Sequence, residues 1–153
     1  MSTTVNLEQV ISNSSTGLSA QSIRMNTIAS NLANAGSVGS TEEGTYHTKY
    51  PIFHQITQQM GGDIDQPNAG VEVTKIDQST KPLEKRYDPS HPMANEEGYV
   101  FITDVNPISE MTNMIAASKE YQANVEVINT IKTMINQSLV LLNVFNVEYN
   151  VVI

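Results

Sequence analysis

The chain has no cysteine and no tryptophan among its 153 residues. Without thiols there is no disulfide, no thiol nucleophile and no Cys-type zinc site. Bases are scarce as well: eight Lys and Arg stand against sixteen acids, a net charge of −8. Nucleic acid and anionic membranes both need clustered Lys and Arg, so neither is an expected partner. No run reaches the roughly 18 apolar residues of a membrane span. The nearest, LVLLNVFNVEYNVVI at the C-terminal end, is interrupted by Asn143, Asn146, Glu148 and Asn150. No Lys or Arg precedes Arg24 and no apolar h-region follows the start, so no secretory signal is expected there.

Catalytic patterns are missing too. There is no GxSxG, P-loop, GxGxxG, HExxH or SxxK. His47 and His54 stand seven apart and would face opposite sides of a regular strand, which is wrong for joint metal ligation. Asp63 and Asp65 form a DxD in a Gly-rich loop, but the glutamate of a calcium loop is replaced by Thr74. A small hydrolase would use His91 with Asp88. The expectation is no catalytic residue, no metal and no cofactor.

What charge there is lies in the middle. Residues 1–41 carry only Glu8 and Arg24, residues 42–106 carry eleven acids and five bases, and residues 107–153 carry four acids and two bases. Ser, Thr, Asn and Gln make up 21 of the first 41 residues. A helix of that composition suits burial among protein surfaces better than immersion in water, where a Glu/Lys face is usual. Three parts follow: 1–41, 42–106 and 107–153, the last with an atypical tail from about 143.

The first part reads as a long helix over 7–35. Ile11, Leu18, Met25 and Leu32 form a wholly apolar heptad row, and Ser14, Gln21, Ile28 and Ala35 a half-polar one. Gly17 is a mild weakness, and Gly36 a natural stop. In the last part Asn106-Pro107 is a start signal, a cap followed by proline at the first helical position. Met114, Ala117, Tyr121, Val125, Ile128, Ile131, Ile135, Leu139 and Leu142 then recur at spacings of three or four with no Gly or Pro among them. Two long striped helices at opposite ends of a chain would pair as a coiled coil. Asn113, Asn124, Asn129 and Asn136 lie beside the second stripe, either as ordinary surface or as register-fixing contacts with neighbouring subunits. The tail could extend the helix, pair as a strand or fray.

The middle holds five of the eight glycines and five of the six prolines. TYHTKYPIFHQI, GVEVTKI and GYVFIT alternate between breakers and read as strands. MGGDIDQPNAG and YDPSHPMANEEG read as loops. The expected fold is α+β: long terminal helices forming a coiled coil around a small β-rich insert.

Three stretches carry a family resemblance. Ser30-Asn31-Leu32-Ala33-Asn34, within SAQSIRMNTIASNLANAGSVG, resembles the SNLAN signature of bacterial flagellar rod, hook and hook-associated proteins. The order GVEV, YDPSHPMA, GYV, VNPISEM and then YQANVEV is similar to the proximal-rod branch of that family. The resemblance spans most of residues 7–142; beyond it the chain runs on through NVFNVEYNVVI, where the family usually stops. It implies a structural subunit that polymerises into a helical tube, its terminal helices inside and its middle outside, transmitting torque from the membrane ring toward the hook. It also implies export through the flagellar type III apparatus and a place in the periplasmic rod. Implied partners are copies of itself, other flagellar rod subunits and the membrane-ring/rod junction proteins. The expected assembly interface comprises Ile11, Leu18, Met25, Asn31, Leu32 and Asn34 with Met114, Tyr121, Asn124, Val125, Ile128, Ile131 and Ile135. The amides of Asn31 and Asn34 are expected to satisfy carbonyls near Gly36. Rival readings are another axial subunit, a secretion-associated coiled-coil adaptor, and the His91 hydrolase.

Overall fold

The computed structural model describes residues 7–56 and 70–151; Asp63, Asp65 and most of their loop lie outside the described residues. Seven elements follow in order: α1 (Leu7–Ala33), β1 (Val38–Gly39), β2 (Lys49–Ile56), β3 (Gly70–Gln78), β4 (Glu84–Tyr87), β5 (Tyr99–Ile102) and α2 (Pro107–Val151). The fold is α+β, two helices with an antiparallel β middle.

Helix α2 starts where the sequence says it should. The Asn106 side chain accepts from the N–H groups of Ile108 (3.0 Å) and Ser109 (3.2 Å), and Pro107 has no N–H to satisfy. With no breaker inside, the helix runs 45 residues, about 67 Å at ~1.5 Å per residue. It takes in the tail as far as Val151, so of the three alternatives left open for that segment the backbone adopts the helical one. Glu110, Ala117 and Ile131 are buried, while Met114, Tyr121, Asn124, Val125, Ile128 and Ile135 are half-buried, all on one stripe.

Helix α1 spans 27 residues and packs against α2 on one side and the β2–β3 hairpin on the other. This changes which of its rows is inside. The apolar row Ile11, Leu18, Met25 and Leu32 is only half-buried. The most enclosed residues are Ser14, Ala20, Thr27, Ile28 and Asn31. A helix touched from two directions needs small side chains between its neighbours, and composition by hydrophobicity alone misses that. Gly17 belongs to the same correction. A Cβ there would sit 3.0 Å from the Asn124 amide nitrogen, so this glycine permits close approach of α2 and is more than a weak link.

The end of α1 also differs from expectation. Gly36 is not in the left-handed region; Gly98, at φ 82°, is the positive-φ glycine among the described residues. The helix instead unwinds through tight turns, with Asn34 N–H on Asn31 O, Ala35 N–H on Leu32 O and Ser37 N–H on Asn34 O. Nothing lies within 4 Å of a Cβ built on Gly36. Gly36→Ala is therefore expected to raise stability by about 0.4–1 kcal/mol through the unfolded chain. A urea melt checks it; a loss of that size would show that the turn needs glycine.

The hairpin is laid lengthwise on α1. β2 pairs antiparallel with β3 from Lys49↔Gln78 to Ile56↔Gly70, with a register shift between Ile52 and Phe53. Lys49 sits at Asn31, while Val71 donates to the Thr16 hydroxyl at 3.2 Å. Fifteen helical residues cover about 22 Å and seven strand steps about 23 Å, so strand and helix keep pace. The second sheet has order β1-β5-β4, all antiparallel. Its core is Val100, fully buried, with Phe101, Leu83 and Val105. β1 and β4 were not legible in the sequence: one is two residues long, and the other is EKRY with every side chain exposed. In the β4–β5 connection His91 accepts from Met93 N–H at Nδ1 and Asp88 accepts from the Ser90 hydroxyl, so that pair shapes a turn.

Candidate assembly interface

The SNLAN segment ends α1, and its second residue is a junction. Asn31 is 1% exposed. Its amide nitrogen donates to Lys49 O (2.8 Å) and to the Glu110 carboxylate (2.7 Å). Its amide oxygen accepts from Lys49 N–H (3.0 Å) and the Tyr46 hydroxyl (2.9 Å). Four bonds use the full capacity of one carboxamide. They tie α1 to the first turn of α2 and to the start of β2 at a single buried point. Glu110 is completed by Asn113, which donates to its other oxygen at 3.2 Å. Lys49 in turn lies over the Tyr46 ring, 5.2 Å from its centroid. Asn31 thus reaches away from Gly36, contrary to expectation, because its position in the last full turn faces α2. Asn34 does satisfy a terminal carbonyl, donating to Ser30 O at 2.8 Å.

A second clasp joins the two sheets. Asp104, just before α2, accepts at one oxygen from Thr48 N–H (2.7 Å) and the Thr48 hydroxyl (2.8 Å). Partial burial pushes the Asp104 carboxyl up, but hydrogen bonds from the Ser79 hydroxyl and from Thr48 outweigh it and hold it below its ordinary value. A depressed folded-state value means stability that is present above the ordinary carboxylate range and lost as pH falls through the folded value. Asp104→Asn is expected to be destabilised against the native chain at pH ~7, with the gap narrowing as pH falls below the ordinary carboxylate value and through the folded one. Urea midpoints along that fall measure it, and a gap independent of pH would remove the carboxylate from the account.

The expected interface residues divide between two environments. Asn31 and Ile131 are buried within the chain; Ile11, Leu18, Met25, Leu32, Asn34, Met114, Tyr121, Asn124, Val125, Ile128 and Ile135 are half-buried. Apolar surface that the chain leaves open lies elsewhere on α2. At its start Ile108, Met111 and Ile115 are 77, 54 and 59% exposed. Toward its end Met134, Leu139, Val140 and Leu141 are all more than half exposed. Sequence reasoning missed the first group because Ile108 and Met111 fall off the main stripe. Tyr50, Phe53 and Ile76 add exposed apolar surface on the hairpin. A groove of roughly 320 Å³ lies between Tyr50, Phe53, Arg24 and Asn113.

Comparison with known proteins agrees with this architecture. A model described as flagella basal body rod protein matches residues 11–39, which is most of α1 with β1. A second, described as flagellar basal body rod FlgEFG protein C-terminal, matches residues 96–140. The flagellar basal-body rod protein FlgC of Salmonella typhimurium is 40% identical over 81% of this chain and 89% of its own. FlgC of Buchnera aphidicola subsp. Schizaphis graminum is 40% identical over 88% of this chain and 97% of its own. FlgC of Borreliella burgdorferi is 35% identical over 84% and 92%. With relatives this similar across nearly their whole lengths, the chain belongs to the FlgC family of flagellar basal-body rod proteins and is a non-enzymatic structural subunit of the rod.

Proposed function

We propose that the chain polymerises in the proximal rod, with copies of itself and with other rod subunits, and carries torque from the membrane ring toward the hook. In this reading it travels through the flagellar type III export apparatus, meets the ring/rod junction proteins, and resides in the periplasmic part of the basal body. Helices α1 and α2 pair as an antiparallel coiled coil, residues 1–41 and 107–153 forming the helical domain and 42–106 the outer one. The observation that carries the reading is the apolar surface left open at both ends of α2, from Ile108 to Ile115 and from Met134 to Leu141. Surface of that kind on a helix with few charges marks contact with other chains. Packing along a helix spreads load over buried area in place of a few bonds. The half-buried row Ile11, Leu18, Met25 and Leu32 with Met114, Tyr121, Val125, Ile128 and Ile135 adds its outer edges to the same surface. The test is a deletion strain complemented with Ile108→Asp/Ile115→Asp or with Met134→Asp/Leu141→Asp. Exposed sites tolerate charge, so stability should stay within about 0.5–1 kcal/mol. Swimming in soft agar should be lost, and electron microscopy should show basal bodies without a complete rod. Normal swimming by both variants would overturn the proposal.

A further inference from the structure

The apolar stripe of α2 leaves a question open. Met114, Tyr121, Ile128 and Ile135 repeat every seven residues. A strict heptad repeat looks the same after a slip of one heptad, so it cannot choose how α1 lies along it. The choice must come from layers that differ from one another.

Such layers are present. Gly17 faces Asn124, at a distance where a Cβ would come within 3.0 Å of the amide nitrogen. Asn31 faces Glu110 through a 2.7 Å hydrogen bond. Both partners are two heptads apart on their helices and run in opposite directions. Stepping one heptad between them places Arg24 across from Ala117, which is 0% exposed. One step outward places Val10 across from Ile131. The Gln21 amide donates to Glu120, and Arg24 lies 3.6 Å from the same carboxylate, in the same register. The four layers are thus small against polar, long against small, polar against acid, and apolar against apolar.

We propose that these layers are a register lock, and that Gly17, Asn31, Glu110 and Asn124 are its positioning residues. The inference rests on the paired-helix reading above. Slipping α2 one heptad in one direction sets Arg24 against Asn124, Gly17 against Ile131 and Asn31 against Ala117. The first two of these layers are overpacked, since Ile is bulkier than the Asn that Gly17 already meets closely, and the third is unsatisfied. Slipping the other way gives Arg24 a carboxylate partner in Glu110, but sets Gly17 against Ala117 and carries Asn31 off the start of α2. Only the observed register satisfies every layer. The lock has a consequence for assembly: it brings Leu7 level with Met134, so that α2 projects about 25 Å beyond the start of α1. That projection bears the exposed Leu139, Val140 and Leu141.

The absence of native cysteine makes the test direct. In the full chain, Val10→Cys/Ile131→Cys reports the observed register. Val10→Cys/Ser138→Cys and Asn13→Cys/Tyr121→Cys report the two slips. Oxidative cross-linking in the otherwise native chain should favour the first pair by at least about tenfold, the cost of stranding a buried carboxylate partner. The pairs are then placed in Gly17→Ala/Asn124→Ala, which keeps the Asn31 junction, and in Asn31→Leu/Glu110→Leu. Slipped cross-links should rise toward parity in Asn31→Leu/Glu110→Leu, and by a smaller factor in Gly17→Ala/Asn124→Ala, where the Asn31 junction still opposes a slip. General destabilisation would lower all three pairs together and leave their ratio alone. If the native ratio persists in Gly17→Ala/Asn124→Ala, the lock is overturned, whether or not the second variant folds. If no pair closes in the native chain, the helix pairing itself is overturned.

Discussion

Asn31→Ala is expected to lower the unfolding free energy by about 3–5 kcal/mol, a loss of the kind seen when one partner of a buried charged pair is removed. The change deletes four hydrogen bonds at a residue that is 1% exposed. Glu110 keeps Asn113 but loses its other donor, and the Lys49 N–H and C=O lose the partner that anchors β2. Asn34→Ala is the internal control from the same motif: it gives up one bond, to Ser30 O, at the edge of the fold, and should cost less than about 1 kcal/mol. Asn31→Asp should resemble Asn31→Ala, since it puts a second carboxylate against Glu110. Urea melts of the three variants decide the matter. If Asn31→Ala melts beside Asn34→Ala, the junction does not hold the fold.

This contrast shows where the sequence stops being informative. The motif could be recognised, and both asparagines singled out, because Asn near a helix end has a local use. The partner of Asn31 lies 79 residues away on α2, and no local rule points to Glu110 as an acceptor. The same limit applies to α1. Its apolar row was legible at heptad spacing, yet Ser14, Thr27 and Asn31 are more enclosed, since a helix wedged between α2 and a hairpin is selected for small size and hydrogen bonding. By contrast, the start of α2 was legible from Asn106-Pro107, where cap and proline act within one turn. Strands β2, β3 and β5 were legible because their breakers and alternation are local. β4 was not, because an exposed edge strand carries no buried face to pattern it. The open apolar group at the start of α2 was hidden for the opposite reason: nothing among the described residues covers it.

Gly39→Ala is expected to be the most damaging single methyl addition. The segment after α1, GSVGSTEEG, has the composition of a loop, but Gly39 lies in β1, opposite Phe101. A Cβ there would stand 2.3 Å from the Thr45 hydroxyl oxygen and 3.4 Å from Thr45 Cα. Thr45 cannot step aside: it is 5% exposed, β-branched, and its hydroxyl donates to Thr41 O at 2.6 Å. Either β1 leaves β5 or the 41–45 turn opens, and with it the grip of Glu42, which accepts from Leu83 N–H at 3.0 Å. Overpacking together with a broken hydrogen bond amounts to about 2–4 kcal/mol. Thr45→Ala alone should cost less, about 1–2 kcal/mol. Combined, the two changes should not add, because removing the Thr45 hydroxyl also removes the clash. A double-mutant cycle by thermal or urea melting reads this directly. A Gly39→Ala/Thr45→Ala variant more stable than Gly39→Ala alone places the constraint between these two residues. Strict additivity would place it in the backbone of Gly39 itself, which its ordinary φ gives no reason to expect.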